Sequence, residues 1–450
     1  MKARTEMDTG QLLFRDTIYA LSSGRLPAGV AVVRLSGPHV REVLRASAGM
    51  LPAERMAALR PIRTGVGALI DRGLVLFFPG PRSFTGEDMA EFHLHGGPAV
   101  VGAMLDFLQA KAGFRQAEAG EFTRRAFLLG KMDLTEAEAL GDLIAAETEA
   151  QRRFALSNAA GRQGALYLSW REQIIRARAL IEADLDFADE GDVPGSVADT
   201  VWENVKELAE EIEAHLNDYH RAEIIREGLS VVIIGAPNAG KSSLLNALAR
   251  RDVAIVTDEP GTTRDLVEVV LDLDGYKVIL TDTAGIREGA GAVETIGIER
   301  ALEKSQRADL ILLVSDVTDQ HQDVIPPSDK KVIRVGTKAD LWNGAVKGDF
   351  DLALSSKTGA GIPVLLQILS RWAADHAGSV ADILPSRARH VEQLLRCQAS
   401  LKAAIEDGRK ELELKAEDLR EASDSLGRIV GKIGVEDILD VVFSSFCIGK

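Results

Sequence analysis

Apolar and polar positions change rhythm three times along the chain. Between Asp16 and about Arg115, short alternating or apolar stretches at 29–35, 74–78 and 91–94 are punctuated by glycine and proline. Period-two stretches bounded by such residues predict strands and turns, hence a small α+β domain. From about Gly120 to Gly228 the texture shifts to Ala, Glu, Leu and Arg, with apolar residues at helical spacing, as in Ile174, Ala177, Leu180, Ile181 and Leu185. That stripe predicts long helices. The run Asp192-Val193-Pro194-Gly195-Ser196 separates two of them, because proline and glycine both interrupt a helical ladder. From Leu229 strand-like and helix-like runs alternate, the pattern of a parallel-rich sheet with flanking helices. Past about Gly378 the helical texture returns, through 390–419 and again at 436–443.

Two helical segments of like texture on either side of an α/β segment predict that the latter is inserted into a discontinuous all-α helical domain. The expected layout is a multidomain α/β protein: an α+β domain over 1–119, whose residues 1–15 form a flexible tail, helical segments over 120–228 and 379–450, and the α/β domain over 229–378. Length agrees, since 450 residues exceed the roughly 250–300 at which a single core stops growing.

Composition adds exclusions. Hydrophobic residues at 46% and charged residues at 27% are ordinary for a globular protein. A net charge of −15 argues against a general polyanion binder, because nonspecific nucleic-acid affinity comes from Lys and Arg neutralising phosphates, but it leaves room for a local basic patch. Two cysteines, Cys397 and Cys447, provide no disulfide framework, so a reducing, cytoplasmic location is expected. No apolar run of about 18 residues predicts a membrane span. The terminal Cys447-Ile448-Gly449-Lys450 places a cysteine where prenylation signals do, yet Gly449 and Lys450 do not fit that signal.

The densest chemistry follows Leu229. A buried strand over 229–234 runs into Gly235-Ala236-Pro237-Asn238-Ala239-Gly240-Lys241-Ser242 and then the helical Ser243-Leu244-Leu245-Asn246. This is a phosphate loop in its required strand-loop-helix setting. Glycines let backbone amides approach phosphates, the helix N-terminus adds a favourable dipole, Lys241 reaches the β and γ phosphates, and Ser242 can hold Mg²⁺. Downstream, Gly261-Thr262-Thr263-Arg264-Asp265 offers Thr263 as a second Mg²⁺ ligand that senses the γ-phosphate. Asp282-Thr283-Ala284-Gly285 follows another apolar strand, so Asp282 can anchor the metal's water shell while the Gly285 amide meets the γ-phosphate. Thr337-Lys338-Ala339-Asp340 then decides the base, because a carboxylate there accepts two hydrogen bonds from guanine N1 and N2, and adenine has no matching donors. Four such strings in order and spacing resemble the Ras-like translation-factor class of GTPases, in which Ser355-Ser356-Lys357 is the last base-contacting loop. The usual Asn before the Lys is Thr337 here, whose hydroxyl can still bridge to the phosphate loop, leaving guanine selection to Asp340.

Small GTPases orient the attacking water with a Gln after the Asp-x-x-Gly turn, and this chain has Ile286. An aliphatic side chain cannot do that. Carboxylates between Glu288 and Glu299 are within reach in sequence, and a monovalent cation held by Asn238 and switch-loop oxygens could neutralise transition-state charge. The residues alone equally allow Asn238 as a turn former and Glu294 as a solvated carboxylate at a helix start.

Outside these motifs, four stretches carry a closer likeness: Asp16-Thr17-Ile18 with Val32-Val33-Arg34-Leu35-Ser36-Gly37; Ser83-Phe84-Thr85-Gly86-Glu87-Asp88 with His93-Leu94-His95-Gly96-Gly97; Gly120-Glu121-Phe122-Thr123-Arg124-Arg125-Ala126-Phe127 with Lys131-Met132-Asp133-Leu134; and the end from Phe443-Ser444-Ser445-Phe446 to Cys447-Ile448-Gly449-Lys450. From Asp16 onward the chain resembles the tRNA-modification GTPase family MnmE, also called TrmE. The resemblance implies a tetrahydrofolate-binding N-terminal domain (5-formyl or 5,10-methylene form), a discontinuous helical domain and an inserted potassium-dependent GTPase domain. It implies homodimers that work with the flavoprotein MnmG (GidA), which carries the FAD, to add a carboxymethylaminomethyl group at C5 of the wobble uridine of certain tRNAs. By the same resemblance Asn238, Thr257, Glu259 and Thr262 match potassium positions, Ser242 and Thr263 the Mg²⁺ ligands, and Glu294 the water-orienting carboxylate. Arg34, Glu91, Lys131 and Lys450 match folate-contacting positions, and Cys447, a candidate catalytic residue, matches the family's C-terminal cysteine.

Without the resemblance, Arg34 and Glu91 would be strand-edge charges, Lys131 a solvated residue, and His93 and His95 one face of a strand rather than a metal pair. The loop Ser22-Ser23-Gly24-Arg25-Leu26-Pro27 lacks the family's paired prolines. Two other readings compete: a GTP-gated RNA or ribosome assembly factor without folate chemistry, and a scaffold with a vestigial nucleotide site, suggested by Ile286 and Thr337.

Overall fold

A computed structural model describes residues 14–186, 197–255, 268–282, 306–318, 330–342, 350–379, 382–406, 411–434, 436–444 and 446–449. They fall into two compact units, one made of Met1–Gly141, Gly164–Arg171 and Leu426–Lys450, the other of Asp142–Gln163 and Glu172–Ser425.

The first unit contains a six-stranded sheet formed by β1 (Thr17–Leu21), β2 (Ala28–Ser36), β3 (Ala58–Arg63), β4 (Leu69–Phe78), β5 (Met89–Gly96) and β6 (Phe114–Gln116), in the order β3-β4-β5-β2-β1-β6. All neighbours are antiparallel except β1 and β6. Successive strand side chains point to opposite faces. Val33, Leu35, Phe77 and Phe92 therefore share one face, where they pack with Val43 and Leu44 of helix Val40–Ala48 and Met104 and Leu108 of helix Pro98–Gln109. Ile18, Ala20 and Met89 take the other face, against Phe122 of helix Glu121–Leu128. The α+β expectation holds, with helices covering the apolar faces that the alternation requires.

The chain terminus closes this unit. Phe443 and Phe446 bury against Leu134, Ala137 and Leu439, and the Phe127 and Phe443 ring centroids lie 6.5 Å apart. Gly120 sits at φ 67°, and a Cβ there would lie 2.5 Å from the Phe443 carbonyl oxygen, so the approach needs glycine.

Beneath the sheet runs a buried charge cluster that absorbs much of the motif sequence. Arg125, with no exposed side-chain surface, donates to Asp16 Oδ1 at 2.8 Å, Glu121 Oε1 at 3.0 Å and Glu87 at 3.3 Å. Arg115 bonds Asp16 Oδ2 at 2.6 Å and Glu121 Oε2 at 2.7 Å, and Ser36 bonds Glu87 and Thr85, each at 2.7 Å. One guanidinium thus ties the residue just before β1, the 83–88 loop and helix Glu121–Leu128 together.

The second unit holds another six-stranded sheet: β7 (Leu229–Ile234), β8 (Glu268–Leu273), β9 (Tyr276–Asp282), β10 (Leu310–Asp316), β11 (Lys331–Thr337) and β12 (Leu352–Ala353), ordered β12-β11-β10-β7-β9-β8. All are parallel but β8, which pairs antiparallel with β9. Helices Lys241–Ala249 and Ile362–Ala377 bring Leu244, Leu248, Leu365 and Leu369 to its core. Helices Glu149–Ala159 and Tyr219–Glu227, which precede Leu229 in sequence, add Phe154 and Ile225 to the same core. Lys277 binds Glu147 at 2.6 Å and the Ala150 amide donates to Gly275 at 3.0 Å, joining the β8–β9 turn to the start of that first helix. Helix Val197–Asn217, before the sheet in sequence, packs on Ala388–Ile405, after it, with Val205, Leu208 and Ile212 buried on one and Leu394, Cys397 and Leu401 on the other. Among the described residues no helix is long and apolar enough to cross a membrane.

Replacing Arg125 by Met leaves three carboxylates without their shared cation and is expected to cost about 3–5 kcal/mol, read by chemical denaturation. Burial works against ionisation of Asp16 and Glu121, yet hydrogen bonds and charge from Arg115 and Arg125 outweigh it and hold both carboxyls below their ordinary range. Their stabilisation is present above the unfolded carboxylate range and is lost as pH falls through the lowered folded values. Glu87 runs the opposite way, because its dominant burial raises its pKa and its contribution fades as pH rises. With two groups against one, thermal melts of the wild type should lose stability below about pH 4, the unfolded carboxylate range.

Candidate nucleotide-binding site

β7 is buried at five of its six positions and delivers the chain to the loop at the C-terminal edge of a parallel sheet, where ligands of such folds bind. A Cβ at Gly235 would lie 2.1 Å from the Val314 carbonyl oxygen, so the loop can run against β10 only with glycine there. Asn238 at φ 65° and Gly240 at φ 94° take left-handed conformations, which helps turn successive amides toward a common concavity at the start of helix Lys241–Ala249. Ala239 is buried within this turn, and Ser243 is exposed on the first turn of the helix. Lys241 is only 6% exposed and donates to the Gly235 and Ala236 carbonyl oxygens, each at 2.8 Å. That holds its ammonium over the loop it serves.

Ser242 Oγ donates to Asp282 Oδ2 at 2.8 Å. Two residues forty positions apart thus present a hydroxyl and a buried carboxylate side by side. Hard oxygen donors of this kind suit Mg²⁺, which is held by few protein ligands plus phosphate oxygens and water. Of the positions the resemblance assigns to Mg²⁺ and potassium, Ser242 and Asn238 are described; Thr257, Glu259, Thr262 and Thr263 lie outside the described residues, as do Thr283, Ala284, Gly285, Ile286 and Glu294.

At the base end, Thr337 closes β11 and is 1% exposed. Its hydroxyl lies 2.5 Å from the Ala239 carbonyl oxygen and 3.2 Å from that of Ser315, so it bridges phosphate loop and base loop as its sequence position predicts. Lys338, at φ 56°, turns its ammonium onto Asp316 Oδ2 at 2.6 Å. Burial would raise the Asp316 pKa, but hydrogen bonds from Lys338 and Thr318 outweigh it and keep the carboxylate ionised below its usual range. Asp340, in the short turn Ala339–Leu341, accepts from Ser355 Oγ at 2.6 Å, which orients one carboxylate oxygen and leaves the other for a ligand. Ser356 is half-buried and Lys357 exposed beside it. Sequence reasoning missed Asp316; the signal available was a carboxylate ending an otherwise apolar strand.

In the first unit, the register pairs Arg34 with Glu91 across β2 and β5. Arg34 Nε and Nη2 donate to Glu91 Oε1 at 3.1 and 3.0 Å, while Arg34 Nη1 reaches the Gly449 carbonyl at 3.3 Å. Ser22 Oγ donates to the same carbonyl at 3.0 Å, and Ala119 bridges Ile448, so the C-terminal tail is brought to the Arg34 side chain. The Arg34 and Glu91 side chains are 19% and 18% exposed, so a guanidinium and a carboxylate stand side by side at the surface of the sheet. Lys131 donates to Pro81 O at 2.9 Å in a different loop, and Lys450 lies outside the described residues. His93 pairs with Glu91 at 3.2 Å and His95 with Asp71 at 2.9 Å. Among the described residues no three His, Cys, Asp or Glu side chains form a group that could hold a metal ion. Burial pushes the Cys397 thiol up to about 12, so it packs as an apolar residue, whereas Cys447 is exposed.

Comparison with known proteins identifies the family. The family model described as "GTP-binding protein TrmE N-terminus" matches residues 17–131, and that of the "MnmE helical domain" matches 134–447. The chain belongs to the MnmE family. The tRNA modification GTPase MnmE of Mesorhizobium japonicum is 60% identical over 97% of this chain and 99% of its own length. Those of a Chelativorans species and of Brucella anthropi are 57% and 56% identical, over 98% and 97% of the chain and 99% and 98% of their own lengths. In the MnmE family setting, the buried Arg125 cluster accounts for motif residues that the nucleotide site does not use.

Replacing Asp340 by Asn removes the acceptor pair and offers an amide donor, which matches the second carbonyl of xanthine rather than the amino group of guanine. GTP affinity should fall by about two orders of magnitude or more while XTP affinity rises, as read by displacement of a fluorescent nucleotide. Replacing Thr337 by Val keeps the shape but strips two buried carbonyls of their donor, and should cost about 1–3 kcal/mol in chemical denaturation.

Proposed function

We propose that this chain hydrolyses GTP in the service of tRNA modification. The single observation that carries the reading is the pairing of Ser355 with Asp340 and of Thr337 with the phosphate loop, which puts a guanine acceptor and a triphosphate cradle into one hydrogen-bonded unit. Asp340 accepts from guanine N1 and N2, and Lys241 exchanges its loop carbonyls for the β and γ phosphates. The Ser242 and Thr263 oxygens would hold Mg²⁺ with Asp282 anchoring its water shell, and the ion when bound would neutralise charge between the phosphates. Ile286 supplies no water-orienting group, so that work goes to Glu294, and Asn238 with Thr257, Glu259 and Thr262 holds a potassium ion that takes the place of an arginine finger.

The finer reading extends to the first unit. Arg34, Glu91, Lys131 and Lys450 bind a tetrahydrofolate one-carbon donor, and homodimers act with the FAD-bearing MnmG (GidA) to place a carboxymethylaminomethyl group on C5 of the wobble uridine, with Cys447 near that chemistry. The C-terminal tail beside Arg34 supports this, because it brings the terminal motif to the same patch.

Nucleoside analysis of tRNA from cells lacking the protein should show the unmodified wobble uridine and its recovery on complementation; an unchanged profile would favour an assembly factor instead. Purified protein should turn over GTP faster in potassium than in sodium buffer by at least about tenfold, the lower range of lost transition-state charge stabilisation. The Glu294→Ala variant should bind GTP normally and hydrolyse it at least about a hundredfold more slowly.

A further inference from the structure

Beside the base loops, between helix Lys241–Ala249 and residues 356–359, lies a pocket of about 460 Å³. Arg250, Arg251 and Lys357 all line it, with Asn246 and Thr358 as polar neighbours. Several arginines among the described residues are engaged by carboxylates, as Arg34, Arg41, Arg115, Arg125 and Arg221 are. Among the described residues none of these three side chains forms a hydrogen bond or ion pair. Three like charges from two elements therefore converge without a counter-ion.

The bound nucleotide does not supply one at the arginines. Its triphosphate sits at Lys241 and Ser242, beside the Ser243 and Ser356 end of the pocket, whereas Arg250 is nine residues further along the helix, about 13 Å away at 1.5 Å per residue. Favourable interaction with the helix C-terminus accounts for Arg250 and Arg251. It does not account for Lys357, which reaches the pocket from the guanine loop.

We infer that this pocket binds backbone phosphates of the RNA substrate, an inference that rests on the tRNA reading proposed above. Guanidinium groups match phosphate oxygens in a fork geometry, and Asn246 and Thr358 add neutral hydrogen bonds to the same oxygens. In a chain of net charge −15 a small unneutralised cationic pocket offers a polyanion a local place to bind. Because Lys357 belongs to both the guanine loop and the pocket, RNA phosphate and guanine meet on one short loop, and occupancy of one site biases the other.

The test measures binding of an unmodified tRNA transcript to the full-length protein by fluorescence anisotropy across a salt series, with GTP affinity and turnover measured in parallel. The Arg250→Gln/Arg251→Gln variant should keep GTP affinity and turnover, while its log–log salt slope for tRNA becomes shallower by about 1.4 to 1.8, the loss of two phosphate contacts. The Arg250→Lys/Arg251→Lys variant keeps the charge and should retain the wild-type slope, which separates charge from folding. A double-Gln variant with an undiminished slope, on wild type that does bind tRNA, overturns the inference and leaves the tRNA reading standing. A double-Gln variant that loses GTP affinity gives the pocket to the nucleotide and overturns it too. Wild type that binds no tRNA at any salt removes both.

Discussion

The nucleotide site depends on how closely the phosphate loop is allowed to approach the ends of its neighbouring strands. Gly235 lies against the Val314 carbonyl, and Thr337 bonds the Ala239 carbonyl from the next strand over. Parallel pairing of β7, β10 and β11 lines their C-terminal ends along one edge, so loop amides, Asp316 and Thr337 arrive together without any long connection having to fold back. Lys338 on Asp316 and Ser355 on Asp340 then hold the base loops to that edge. With Lys241, Thr337, Lys338 and Ser355 each bonded across the junction, one arrangement of its loops is favoured over others.

A different constraint governs the other unit. There a guanidinium without exposed surface collects three carboxylates, and removal of any one partner would leave charge in a low-dielectric setting. The arrangement explains why residues far apart in sequence, Asp16, Glu87 and Glu121, have to be acidic together. The exposed rim of the same sheet is built otherwise: Arg34 and Glu91 pair across strands while about a fifth of each side chain stays accessible, and the tail at Gly449 closes on them. A rim of that kind can trade its internal pair for a ligand, whereas the Arg125 cluster cannot.

Much of this was legible in order along the chain. The phosphate loop, the Asp282 turn and the Thr337 to Asp340 string are each local: a few residues whose geometry follows from glycine, helix N-terminus and strand end, so their chemistry travels with the sequence. The bridge from Thr337 to the phosphate loop was foreseeable because strand order in such a sheet puts those two loops side by side. Asp316 was not, since a carboxylate ending an apolar strand has no local partner and acquires meaning only when β10 and β11 run in register and Lys338 turns back onto it.

The sequence by itself determined the strand and helix rhythm, the triphosphate cradle and guanine preference, because those depend on backbone conformation and on groups a few residues apart. Only the tertiary structure decided that helices Glu149–Ala159 and Tyr219–Glu227 complete the core of the GTPase sheet, that Arg125 gathers Asp16, Glu87 and Glu121, and that Arg250, Arg251 and Lys357 line one pocket. Those outcomes rest on burial and on pairing between distant segments. Hydrophobic periodicity tells which face of an element is apolar, but the choice of what covers that face, and which charges are stranded or matched when it is covered, is made by the packed chain as a whole.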